Sequence, residues 1–207
     1  MSTIRKLYAL LTGKLYIPDE ARALTGKTLL HLSDTPHMIY GDIKKLIETV
    51  QPDYIIHTGD MVDNVKLGLY PFRLNDYRKS LNKFGRLIHA STGAKLYIAL
   101  GNHDHLETVR QVFPSAQILV DPIIINIEGH QIQLSHYAPL DTSQHDKIAL
   151  SLFGHDLSMH TQILNHTAYL NGIEHISIIE LDTLNIIPIE YPAGTNDSRL
   201  RRNKIGM

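Results

Sequence analysis

The chain of 207 residues has no cysteine and no tryptophan. Without a thiol there is no disulfide, no thiolate nucleophile and no thiolate metal ligand, so any metal is left to His, Asp, Glu, Asn and water. No apolar run approaches the roughly 18 residues that a helix needs to span a bilayer. Residues 7–11 form only a brief apolar stretch, followed by Thr12-Gly13-Lys14, too short for the core of a secretion signal. The expectation is a cytoplasmic protein. A formal net charge of -1 gives no general pull toward nucleic acid or an anionic membrane, and neither is expected as a partner. What is present is ordinary for one globular α/β domain: 43% hydrophobic and 20% charged residues. Thirteen histidines are many, but their positions carry more information than their number.

Residues 1–27 read as a leader packed on the domain, with Ile4, Leu7, Leu10 and Leu11 at helical spacing. Gly26-Lys27-Thr28 is no P-loop. Ala21 stands where that loop needs a glycine, and a strand follows the motif where one should precede it. The domain proper is expected over 28–191. Strands are predicted at 28–33, 54–57 and 95–99, alternating with helices at 42–50, 73–89 and 105–113. After Pro114 the texture becomes strand-rich, with runs at 117–120, 122–127, 131–135, 148–153, 167–170, 176–181 and 186–189. Glu128-Gly129-His130 reads as a hairpin turn. Residues 192–207, with Arg199, Arg201, Arg202 and Lys204, read as a basic, flexible, solvated tail.

Asp34, Asp60, Asn102, His136 and His155 each follow a strand-like run. In open α/β sheets the loops beyond the carboxyl ends of the strands converge on the ligand site. Any one of these residues alone is an ordinary turn cap or surface histidine, whereas five at successive strand ends make a site. Asp, Asn and His without thiolate suit borderline divalent ions such as Mn, Fe, Ni or Zn.

In chain order the motifs are Asp34, Gly59-Asp60-x-x-Asp63, Gly101-Asn102-His103-Asp104, His136, and Gly154-His155. Over residues 28–184 this set resembles the calcineurin-like metallophosphoesterase superfamily. The resemblance implies a four-layer αββα sandwich of two mixed sheets flanked by helices, with two divalent ions. Asp60 would bridge the ions, Asp34 would bind the first, and Asn102, His136 and His155 would complete the second. His103 would stabilise the transferring phosphoryl group or protonate the leaving oxygen, and Asp63 would orient His103 by a hydrogen bond. The implied reaction is hydrolysis of a small phosphate ester, diester or monoester, by metal-activated hydroxide.

Two departures fall on the same ion. Pro36 stands where the family places a histidine after Asp34, with His37 one position later, and Leu157 stands where a second histidine follows His155. The first metal site is therefore expected to be degenerate, leaving one or two ions per chain. Asp156, His160 and His31 are poorer replacements than His37, and Asp104 has no ligand role. Lys66 and Tyr137 follow ligand positions and are candidates for substrate contact or for plain packing. The rival reading is a non-catalytic scaffold or binding protein on the same fold.

Overall fold

The computed structural model describes residues 2–120, 122–140 and 147–200. Helix α1 (Ser2–Thr12) and the single turn α2 (Asp19–Arg22) lead into β1 (Thr28–Leu32), α3 (Tyr40–Val50), β2 (Tyr54–His57), α4 (Leu74–Ser91), β3 (Lys95–Ala99), α5 (Leu106–Val112) and β4 (Gln117–Leu119). Seven strands follow: β5 (Ile123–Ile127), β6 (His130–Leu134), β7 (Ile148–Phe153), β8 (Gln162–Leu164), β9 (Thr167–Asn171), β10 (His175–Glu180) and β11 (Asn185–Glu190). Helix α6 (Thr195–Leu200) is the last element.

Strands β1 and β2 are buried along their whole length, as expected of central parallel strands covered on both faces. They pair in the order β11-β10-β1-β2-β3-β4, parallel from β1 to β4 and antiparallel at β10 and β11. The second sheet runs β5-β6-β7-β9-β8 and is also mixed, with β6, β7 and β9 parallel. This is an α/β sandwich of two mixed sheets flanked by helices. Alternation along β1 divides the core. Leu30 and Leu32 meet Ile43, Leu46 and Ile47 of α3 and Leu81, Phe84 and Ile88 of α4 in one cluster, while Leu29 faces Ile132, Leu134, Leu150 and Leu152 between the sheets.

The expected boundaries shift by one or two residues. Helix α3 begins at Tyr40 because that buried ring stacks on Phe84 and its hydroxyl donates to Met61 O. Strand β8 lacked a sequence signal. It is a three-residue edge strand, exposed throughout, joined to β9 by a turn with Asn165 and His166 at positive φ. Leu15, Ile17 and Ala21 of the leader enter the helix-side core, whereas Ile4, Leu7, Leu10 and Leu11 are exposed.

The expected solvated tail needs correction. Residues 195–200 form α6, and Arg199 is only 5% exposed. Its guanidinium donates to Asp34 O, Ser33 O, Ile173 O and Asn196 Oδ1 and packs 4.2 Å from the Tyr191 ring. Four hydrogen bonds, three of them to main-chain carbonyls, offset the desolvation of one cation. Arg201, Arg202 and Lys204 lie outside the described residues.

Candidate metal centre

The five candidate ligands stand two or three residues beyond β1, β2, β3, β6 and β7, where parallel strands of both sheets end. Asp34, Asp60 and His155 adopt φ of 48°, 55° and 72°. Left-handed backbone at non-glycine residues is costly and clusters at functional sites. The loops approach so closely that glycine is required twice. A Cβ on Gly59 would fall 2.5 Å from Gly101 N and 2.6 Å from His136 Nδ1, and one on Gly101 would fall 2.2 Å from Asp60 Oδ1.

Asp104 closes this arrangement. Its Oδ2 accepts the N–H groups of Asp60 (2.8 Å) and Gly101 (3.0 Å), and its Oδ1 accepts Met61 N–H (3.0 Å) and Tyr77 O–H (2.9 Å). It binds no ligand atom, yet it ties the Asp60 loop to the Asn102 loop. That role was invisible in the sequence, although the residue sits inside the Gly-Asn-His-Asp motif.

Around His136 the donors converge. Its Nδ1 lies 2.7 Å from Thr58 O, which can only accept, so the ring proton sits there and Nε2 carries a lone pair. Facing Nε2 are Asn102 Oδ1 at 3.0 Å, His155 Nδ1 at 3.1 Å and Asp60 Oδ2 at 3.6 Å. Asn102 turns its Nδ2 toward the ring nitrogens of His103, at 3.3 and 3.4 Å, which leaves its oxygen pointing inward. Two oxygens therefore face an unprotonated nitrogen lone pair to lone pair, an arrangement that a cation relieves. Among the described residues, Asp60, His136 and His155 offer ligand atoms within 4.8 Å of one another. This set fits a borderline divalent ion.

Burial raises the Asp60 carboxyl well above its ordinary range, and Asp34, Asp104 and Asp63 add like-charge repulsion. Its Oδ1 also accepts His103 N–H at 2.9 Å. Burial lowers His155, with His136 adding to the effect. The His155 shift favours the neutral imidazole that ligates, whereas the Asp60 shift favours the protonated acid, so an ion bound there would have to displace that proton.

His103 is 7% exposed, and its Nδ1 accepts the Gly68 N–H at 3.1 Å. The neutral ring then carries its proton on Nε2. Burial first, then Lys66, lower its pKa to about 4. The expected bond from Asp63 to His103 is not what the structure shows. Asp63, 1% exposed, pairs with Lys66 instead, because a buried carboxylate gains more from an ammonium than from a neutral imidazole. Burial still lifts Asp63 to about 6. Asp63, Asp60 and His103 do lie together, with ligand atoms within 4.8 Å.

Asp34 is buried beside these residues, but its Oδ2 is taken by Ser33 Oγ (2.6 Å) and His155 N–H (3.0 Å). It joins neither convergent donor group among the described residues. His37 does not replace the missing imidazole. It is exposed and is held through its main-chain N–H on Asn64 Oδ1. Leu157 is 54% exposed and carries no ligand atom. His160 pairs with Glu174 at the surface, Asp156 accepts Ser158 N–H, and His31 is buried against Thr58 Oγ1. The donors around His136 fit a divalent ion, whereas Asp34 has no imidazole from position 36, 37 or 157 beside it. Tyr137, half-exposed, sets its ring edge-on to those of His136 and His155, at 5.0 and 4.5 Å between centroids.

A family model described as calcineurin-like phosphoesterase matches residues 27–188. No curated protein matches the chain. Among solved structures, an archaeal phosphodiesterase is similar at 17% identity and a TM-score of 0.55, over 79% of this chain and 99% of its own. Yfce, a phosphoesterase from E. coli, is similar at 14% identity and a TM-score of 0.49, over 78% of this chain and 97% of its own. The family match spans most of the chain and contains every convergent donor found in the structure, so this chain belongs to the calcineurin-like phosphoesterases.

Proposed function

We propose that this chain hydrolyses a phosphate ester with one divalent ion held by Asp60, Asn102, His136 and His155. Metal-dependent phosphoester hydrolysis is the general activity of the family. The observation that carries the reading is the His136 environment, where Thr58 O fixes the ring proton on Nδ1 and three further donor atoms face Nε2. An ion bound there acts as a Lewis acid and lowers the pKa of a coordinated water toward neutrality. Mn, Fe, Ni and Zn all suit these ligands.

The protein groups act on the phosphoryl oxygens. Gly68 N–H holds Nδ1 of His103 as an acceptor, so His103 presents Nε2–H as a hydrogen-bond donor. Neutral over the physiological range, it stabilises developing charge on the phosphoryl group better than it delivers a proton. In the overall step the water oxygen bonds to phosphorus and the ester P–O bond breaks. The departing oxygen takes up a proton, and the other product is the phosphate. Asp104 and the two glycines keep the ligand loops in place beforehand. No side-chain nucleophile is required.

The test is hydrolysis of bis(p-nitrophenyl) phosphate and of p-nitrophenyl phosphate across the four metals, with chelated protein as control. Activity is expected to vanish on chelation, and His103→Ala is expected to lower kcat by roughly 100-fold with the metal retained. Equal rates in wild type and His103→Ala, or no hydrolysis with any of the metals, would contradict the reading and favour a scaffold role.

A further inference from the structure

The Asp34 side of the cleft lacks the two imidazoles that Pro36 and Leu157 replace, but not positive charge. A cavity of about 340 Å³ opens there, lined by Asp34, Asp63, Lys66, His155, Leu157 and Arg199. Arg199 is committed, since its N–H groups end on three main-chain carbonyls and Asn196. Lys66 is different. Its side chain is 21% exposed, and its ammonium pairs with the buried Asp63 carboxylate. Its backbone is left-handed, with φ of 49°, at the end of the turn Asp63–Val65, which brings the side chain back over a residue three positions earlier. An ammonium has three donors, and the bond to Asp63 uses one.

Resting on the phosphoesterase reading above, we propose that Lys66 is a phosphate-binding residue that replaces a second metal ion. Its ammonium donates to a non-bridging phosphoryl oxygen from the Asp34 side, while a single ion and His103 hold the group from the other. Asp63 is the counter-charge that keeps the ammonium in the cleft. The pairing of Asp63 with Lys66, where the sequence suggested Asp63 with His103, follows directly. So does the tolerance of Pro36 and Leu157, since an ammonium needs no imidazole ligands.

The test titrates inorganic phosphate into the Mn-loaded full chain by calorimetry, with bound Mn per chain counted by mass spectrometry. Wild type, Lys66→Met and Lys66→Arg are each expected to hold one Mn. Lys66→Met is expected to weaken phosphate binding roughly 10- to 100-fold, and Lys66→Arg to recover most of it. If Lys66 merely neutralises Asp63, the pair Asp63→Asn/Lys66→Met regains wild-type phosphate affinity, and the proposal fails; affinity that stays low supports it. Two Mn per wild-type chain, or unchanged phosphate affinity in Lys66→Met, would also overturn it. The readout is separate from turnover, so a wild type that binds phosphate through Lys66 but hydrolyses nothing would sink the proposed function and leave this inference standing.

Discussion

Asp104 accepts four hydrogen bonds, three of them from the backbones of the Asp60 and Asn102 loops. Asp104→Asn turns an amide N–H₂ toward N–H donors, and its expected cost is about 2–4 kcal/mol, measured by urea denaturation. Gly101→Ala is expected to act on binding as well as on stability, because the new Cβ would collide with Asp60 Oδ1 and Asp60 N. Mn affinity measured by calorimetry should fall with it, and an unchanged affinity would show that the loops have more room than the structure gives them. At this scale the convergent donors were legible and their supports were not. Asp60, Asn102, His136 and His155 announce themselves locally, as polar residues closing apolar runs. Two partners of Asp104, Asp60 and Met61, lie more than 40 positions away in sequence, and Gly68 N–H lies 35 positions from the ring it orients. No local pattern encodes such pairings.

Strands β1 and β2 each carry a buried histidine at their inner ends. His31 meets Thr58 Oγ1, and His57 meets Thr35 Oγ1 and Gly59 N–H. Burial lowers both to about 3. The unfolded chain protonates them near their ordinary pKa of about 6.5 while the folded chain does not, so their contribution is intact above that value and is lost as pH falls toward 3. Each adds about 1.4 kcal/mol per pH unit to the slope of stability across that window. His57→Gln should remove its share, read from urea melts at pH 4, 5 and 6. Helix α6 makes a separate prediction. Arg199→Ala strips donors from Ser33 O, Asp34 O and Ile173 O and is expected to cost about 2–4 kcal/mol, with Arg199→Lys a poor rescue because a lysine cannot span the same carbonyls. The central strands and long helices were legible because each carries a full period of apolar residues. Strand β8 was not, being short, exposed and at an edge, and α6 was not, because its hold on the domain is one arginine reaching carbonyls that lie far away in sequence.

The whole molecule brings the open ends of two sheets together and fills the junction with carboxylates. Asp60, Asp63 and Asp104 are all raised, burial being the first cause for each. A raised carboxyl contributes stability below its unfolded pKa and loses it as pH rises through the folded value, which for Asp63 is about 6. Ion-free protein should therefore weaken as pH climbs from the ordinary carboxyl range of about 4 up to that value, while a bound ion favours the ionised forms and restores what was lost. Mn is expected to raise Tm more at pH 8 than at pH 5. The family's overall design was legible in five motifs. The unequal character of the site was half legible: Pro36 and Leu157 marked a missing ligand set, but the ammonium across the cleft appears only once Lys66 is seen against Asp63. The most direct test is the anomalous difference map of a crystal soaked in Mn. The account predicts one strong peak per chain, bounded by Asp60 Oδ2, Asn102 Oδ1, His136 Nε2 and His155 Nδ1. A map without a peak there, or with a second strong peak against Asp34, would contradict it.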